Sequence, residues 1–128
     1  MRLNTINDYG FNIRGIDIIP IRVRHMNLEI YGFRIGNFAY ISDASYIPES
    51  SKEKLIGVKY LVINALRKEK HISHFSLREA IDIIREISPR KAFITHISHQ
   101  MGLAKNVSEE LPAEIMLAYD GLSIVLDE

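Results

Sequence analysis

The residues able to do chemistry in this sequence gather in a few places. All five histidines fall in three short stretches: His25 alone, His71 with His74, and His96 with His99. His25 closes an alternating run of apolar and polar residues. His71 and His74 follow Asn64-Ala-Leu-Arg67, the segment that leaves a buried apolar run, and His96 and His99 follow Lys91–Thr95. One carboxylate shares this setting: Asp43, directly after Tyr40-Ile-Ser42. Polar groups at strand ends in layered α/β folds usually face the ligand crevice. Imidazole nitrogens and a carboxylate form a ligand set for zinc, manganese or iron, and the two oxygens of a carboxylate can bridge two ions. On spacing alone these residues also read as ordinary hydrogen-bonding groups at the surface, and Asp43 before Ala44-Ser45 as the opening of a turn. His96-x-x-His99 has the spacing of one helix face and no further ligand motif. Asp120-Gly121 reads as a turn.

The elements that must position these groups come in two kinds. Ile19 to His25 alternates with period two, Asn27 to Ile35 repeats the pattern after a turn at Met26-Asn27, and Gly36-Asn37 leads into Phe38–Ser42. These are three half-buried strands, β-branched or aromatic in character. Thereafter helical signals alternate with short apolar runs. Ser50-Ser-Lys-Glu53 has the spacing of a capping box for a short helix, and Ser76-Leu-Arg-Glu79 opens the apolar stripe Leu77, Ala80, Ile81, Ile84 and Ile87, stopped by Pro89. Lys59–Asn64 and Lys91–Thr95 read as buried strands. Ser108–Leu111 reads as a short helix ended by Pro112. Ile115–Tyr119 and Leu122–Leu126 flank Asp120-Gly121 as a final hairpin. Strands first, then alternating strand and helix, indicate an α/β class with a mixed sheet and a single domain over 1–128.

Composition narrows the functions. The 128 residues carry sixteen Lys+Arg and sixteen Asp+Glu. This balance argues against a nucleic-acid partner held by bulk charge. Cysteine is absent, which excludes disulfides, thiolate metal sites and a cysteine nucleophile. No apolar run approaches the roughly 18 residues of a membrane span, and Met1–Asp8 lacks the apolar core of a signal peptide, so the expected location is cytoplasmic.

The order of the segments adds more than any one of them. Tyr40-Ile-Ser-Asp43, Leu61-Val-Ile-Asn-Ala-Leu-Arg67, His71-Ile-Ser-His74, Thr95-His-Ile-Ser-His99 and Ala118-Tyr-Asp-Gly121 follow one another. Together they resemble the second half of the metallo-β-lactamase-fold hydrolases, in the branch of phosphoribosyl 1,2-cyclic phosphate phosphodiesterase. The resemblance runs from about Ile19 to Leu126. It implies half of a four-layer αββα sandwich, a mixed sheet with helices on one face. It implies two divalent ions, zinc or manganese, and hydrolysis of a small, cyclic phosphodiester by metal-bound hydroxide. By the same resemblance His25 is a ligand of the first metal, Asp43 bridges both and His96 is a ligand of the second. His74 contacts substrate phosphate and assists the leaving group, while His99, His71 and Asp120 orient ligands or shape the pocket. Arg67 either binds phosphate or pairs with a carboxylate.

One departure is large. Members of that family carry a His-x-His-x-Asp-His motif in their first half, and this sequence has none. Only 24 residues precede His25, so the N-terminal half is expected to be absent: a shortened form, a product of a split gene or a decayed remnant. The first metal would then keep only His25 and Asp43, and the second only Asp43 and His96, where catalytic zinc sites normally hold three protein ligands. The chain alone is expected to bind metal weakly or not at all, to lack useful activity, and to hide its exposed sheet face by homo-oligomerisation or against the missing half. The alternatives are the same fold acting on a thioester, a lactone or RNA, and a non-catalytic interaction module.

Overall fold

The computed structural model describes residues 3–71, 73–98, 101 and 104–126, without the side chains of 104 and 105. Seven strands form one sheet in sequential order: β1 (Phe11–Ile13), β2 (Ile16–His25), β3 (Leu28–Ile35), β4 (Phe38–Ile41), β5 (Tyr60–Asn64), β6 (Lys91–Thr95) and β7 (Ile115–Leu117). β1 to β4 pair antiparallel through tight turns, and β4 to β7 pair parallel. Parallel neighbours need crossovers, and these carry the helices α1 (Glu49–Glu53), α2 (Leu77–Ile87) and α3 (Ala104–Glu110). The α/β class and mixed sheet are those expected.

Side-chain alternation gives the sheet two unlike faces. On one, Ile21, Ile41, Ile63, Ile94 and Leu117 pack with Leu55 after α1, with Leu77, Ala80, Ile83 and Ile84 of α2, and with Met101 and Val107. All three helices therefore lie on this side. Gly32 belongs to the same face. A Cβ there would lie 2.5 Å from Ile41 Cδ1 and 2.7 Å from the Tyr40 carbonyl, so only glycine lets these strands close up. On the other face Pro20, Phe33, Tyr40, Val62, Phe93 and Met116 stand in register across β2 to β7. Among the described residues, Phe38, Leu122 and Ile124 pack against its buried patch of Tyr60, Val62 and Phe93.

The Ser76 capping box forms as expected. Its hydroxyl accepts from the Glu79 amide, the Glu79 carboxylate accepts from the Ser76 amide, and Ser88 ends α2 in a left-handed conformation before Pro89. Three expectations need correction. Ser50-x-x-Glu53 caps nothing, because α1 begins at Glu49 behind Pro48, which supplies no side-chain bond. Ser50 thus lies inside the helix, while Ser51 turns inward to donate to the Arg22 carbonyl. The helix at Ser108 begins earlier, at Ala104. Asp120-Gly121 turns the chain without making a hairpin. Leu122–Leu126 pairs with no strand, and Leu122 and Ile124 instead lie on the open face. β1, which the sequence reading passed over, is joined to β2 by a turn at Arg14-Gly15 braced by Asn12, whose Oδ1 accepts from the Gly15 amide at 2.9 Å.

Candidate metal centre

The candidate residues converge because one short segment ties their loops together. As β5 ends, Asn64, fully buried, accepts from the Ala44 amide at 2.9 Å and donates to the Ala44 carbonyl at 2.8 Å, clamping the loop of Asp43. The Ala65 amide donates to the Thr95 carbonyl at 3.0 Å, next to His96. The Leu66 amide donates to the Phe75 carbonyl, beside His74, at 3.0 Å, and the Leu66 carbonyl accepts from the Ser98 amide and hydroxyl. Three consecutive residues thus fix the loops after β4, β5 and β6. His25 joins them through its own ring: Nδ1 lies 2.9 Å from the Asp43 carbonyl. A carbonyl only accepts, so neutral His25 donates from Nδ1 and keeps its lone pair on Nε2.

Asp43 and His96 both adopt left-handed backbone, with φ of 61° and 60°. Such conformations are unfavourable for side chains other than glycine and cluster at functional sites. They turn the two side chains toward each other: His96 Nε2 lies 3.2 Å from Asp43 Oδ1, and His74 Nε2 lies 3.5 Å from the same oxygen. The His74 ring stacks on His96 at 4.7 Å and meets His25 edge-on at 4.9 Å. One ligating atom from each of Asp43, His74 and His96 lies within 4.8 Å of the others. Burial depresses the His74 imidazolium below the ordinary histidine range, and the neighbouring His96 and His25 add to this, against the pull of Asp43.

Four residues expected at the site, His25, Asp43, His74 and His96, thus meet at one point. His71 lies beside them, its ring 5.8 Å from that of His74. Asp120 lines a cleft of about 230 Å³ with Thr95, His96, Ile97, Ala118 and Tyr119. Arg67 donates to the Lys70 carbonyl at 2.9 Å, a partner within its own loop. His99 lies outside the described residues. The sequence reading missed the positioning groups Asn64, Ser73 and Ser98. Asn64 had a signal, since an amide ending an otherwise apolar strand must find partners.

Residues 1–97 match the model of the beta-lactamase superfamily domain. The chain belongs to this family. The domain is also similar to a crystal structure of a new diphosphatase from the PhnP family, with 35% identity and a TM-score of 0.92 over 95% of this chain and 48% of that one. The fold matches the metallo-β-lactamase fold protein YhfI from Bacillus subtilis, at 20% identity and a TM-score of 0.78 over 94% of this chain and 54% of that one. An octanoyltransferase of Porphyromonas gingivalis is 34% identical over 122 residues, which are 94% of this chain and 25% of that protein. This metallo-β-lactamase domain, of the PhnP-like branch, therefore spans about half of the similar solved chains and a quarter of the curated relative. Among the described residues, no helix is long and apolar enough to cross a membrane.

Proposed function

We propose that this chain is the C-terminal half of a divalent-metal-dependent hydrolase and forms one side of its active site, acting on a small phosphodiester or diphosphate. The observation that carries the reading is the convergence of one carboxylate and three imidazoles, with the ligating atoms of Asp43, His74 and His96 within 4.8 Å. This donor set suits zinc or manganese. His25, Asp43 and His96 would hold the ions, with Asp43 shared between them. Bound divalent ions would supply Lewis acidity toward a phosphoryl oxygen. The chain's own groups do the rest. His25 is oriented by the Asp43 carbonyl, and Asn64 holds the backbone that aims the Asp43 carboxylate. His74 turns Nε2 to the same gap, and its imidazolium form can steady charge on the phosphate or pass a proton to the departing oxygen. His71 and Asp120 are assigned to orienting ligands or shaping the pocket.

The remaining ligands belong to a complementary half that covers the open sheet face, either from the same polypeptide or from a separate chain. Likeness to a PhnP-family diphosphatase along 95% of the chain supports phosphorus as the electrophile. A second reading, an acyl ester or thioester substrate, draws on the octanoyltransferase relative. That protein is four times as long as the shared stretch, so most of it lies outside this domain.

The test measures hydrolysis of bis(p-nitrophenyl) phosphate, a diphosphate and an octanoyl thioester by the native polypeptide carrying this domain, loaded with zinc or manganese. Turnover of the phosphorus substrates, reduced at least about 100-fold by Asp43→Asn, is the expected result. Preference for the thioester would install the second reading, and no turnover of any substrate would leave an interaction module. The 128-residue chain alone should bind either metal weakly, and calorimetric binding below micromolar would contradict that.

A further inference from the structure

Beside Asp43 and His96, a third residue at the candidate centre has left-handed backbone: Met26, at φ 56°. It takes the first place of the turn Met26-Asn27, just outside the β2–β3 ladder, whose last pair is His25–Leu28. A residue with a Cβ finds this conformation unfavourable, so it persists where surrounding contacts impose it. Here the contact comes from the loop that carries Asp43. The Met26 amide donates to the Ser45 hydroxyl at 3.0 Å, and that hydroxyl donates in turn to the Arg24 carbonyl at 3.2 Å. One side chain thus ties both chain neighbours of His25.

The backbone of the same loop fixes the Arg24 side as well. The Arg24 carbonyl accepts from the Ser45 amide at 2.7 Å and from the Tyr46 amide at 3.3 Å, and the Arg24 amide donates to the Tyr46 carbonyl at 3.0 Å. On the Met26 side it is the Ser45 hydroxyl that reaches across. One residue before Ser45, Ala44 is clamped by Asn64, and two before, the Asp43 carbonyl lies 2.9 Å from His25 Nδ1. We infer that Ser45 is a positioning residue: it locks the Met26 turn against the Asp43 loop, so that His25 and Asp43 stand as one preformed pair of donors. The lock needs a group that accepts and donates at once, which threonine keeps and alanine lacks. The positioning stands on the hydrogen bonds; only its use in holding a metal rests on the proposed hydrolase reading.

The test reads nuclear Overhauser contacts and amide hydrogen exchange in the metal-free chain. Wild type is expected to show a ring-to-ring contact between His25 and His74, whose centroids lie 4.9 Å apart, and a protected Met26 amide. Ser45→Ala should speed exchange of that amide at least about tenfold and erase the ring contact, while the Ala44 amide stays protected by Asn64. Ser45→Thr should restore both signals. A serine that only stabilised the fold would lower the melting temperature of Ser45→Ala and leave the ring contact in place, and that result would overturn the inference. His25→Ala should keep the Met26 amide protected, because the turn is held by Ser45; exposure of the amide there would overturn it equally. If Ser45→Ala fails to fold, Ser45→Cys decides, since a thiol is a weak donor and acceptor. Faster Met26 exchange and a weakened ring contact are expected, and an unmoved contact overturns the idea. Zinc titration of the native polypeptide carrying this domain then addresses the use of the pair. Ser45→Ala should weaken binding about 10- to 100-fold, and Ser45→Thr should recover it. A native polypeptide that binds no zinc would sink the hydrolase reading and leave the ring contact to decide the positioning, so the two ideas fail separately.

Discussion

The two faces of the sheet use neighbouring residues of the same strands and have opposite fates. In β5, Ile63 is fully buried under the helices, while Val62, one residue earlier, points to the face that none of the described helices covers. On the helix side Ile21, Ile41, Ile63 and Ile94 are all at 0% exposure. On the other side the row includes Tyr40 at 43% and ends in Met116 at 47%. The first face is a finished core, dense enough that adding or removing a methyl group is felt. The second is apolar and exposed at Tyr40 and Met116 on either side of the buried Tyr60, Val62 and Phe93, which fits the complementary half proposed to cover it.

The sharpest way to break this comparison is to hollow out the finished side. Ile63→Ala should lower unfolding free energy by about 2–5 kcal/mol in urea titration. A loss near zero would mean that the helices do not close this face. Next in size is Gly32→Ala, where the added methyl meets Ile41 and the Tyr40 carbonyl. A loss of about 1–3 kcal/mol is expected from the same measurement. The rim where the imidazoles meet responds to pH. His74 is depressed below the ordinary histidine value by burial, then by His96 and His25, so the folded state binds its proton less readily than the unfolded chain. Its contribution is therefore intact above about pH 6.5 and is lost as pH falls from there toward the depressed value. Thermal melts of wild type should show this decline and His74→Gln should lack it. The smallest stability effect belongs to the open face. Tyr40→Ser and Met116→Ser should each change stability by less than about 0.5 kcal/mol. Together they should lower self-association in sedimentation, and unchanged association would show that this face is not the sticky one.

How much could be read beforehand depends on how local each cause is. Ser76 and Glu79 cap α2 using only each other, so the spacing was enough. Ser50 and Glu53 have the same spacing, yet Pro48 starts α1 too early for the box to form. Leu122–Leu126 alternates like a strand, but a strand needs an edge to pair with, and this segment lies flat on the open face instead. The meeting of His25, Asp43, His74 and His96 was legible through segment order and family resemblance. The parts that hold them were not. Asn64 finds Ala44 twenty residues away, and Ser98 finds Leu66 across thirty-two. Ser73 places its hydroxyl 2.9 Å from a ring nitrogen of both His71 and His74, a meeting that no spacing encodes.

The left-handed backbones of Asp43 and His96 also bear on how such a domain would age. Glycine adopts that conformation without penalty, so either position should gain stability when its side chain is given up. A descendant released from chemistry would drift toward glycine at 43 and 96 before its core changed. Retention of aspartate and histidine there would then be a record of continuing selection for the reaction.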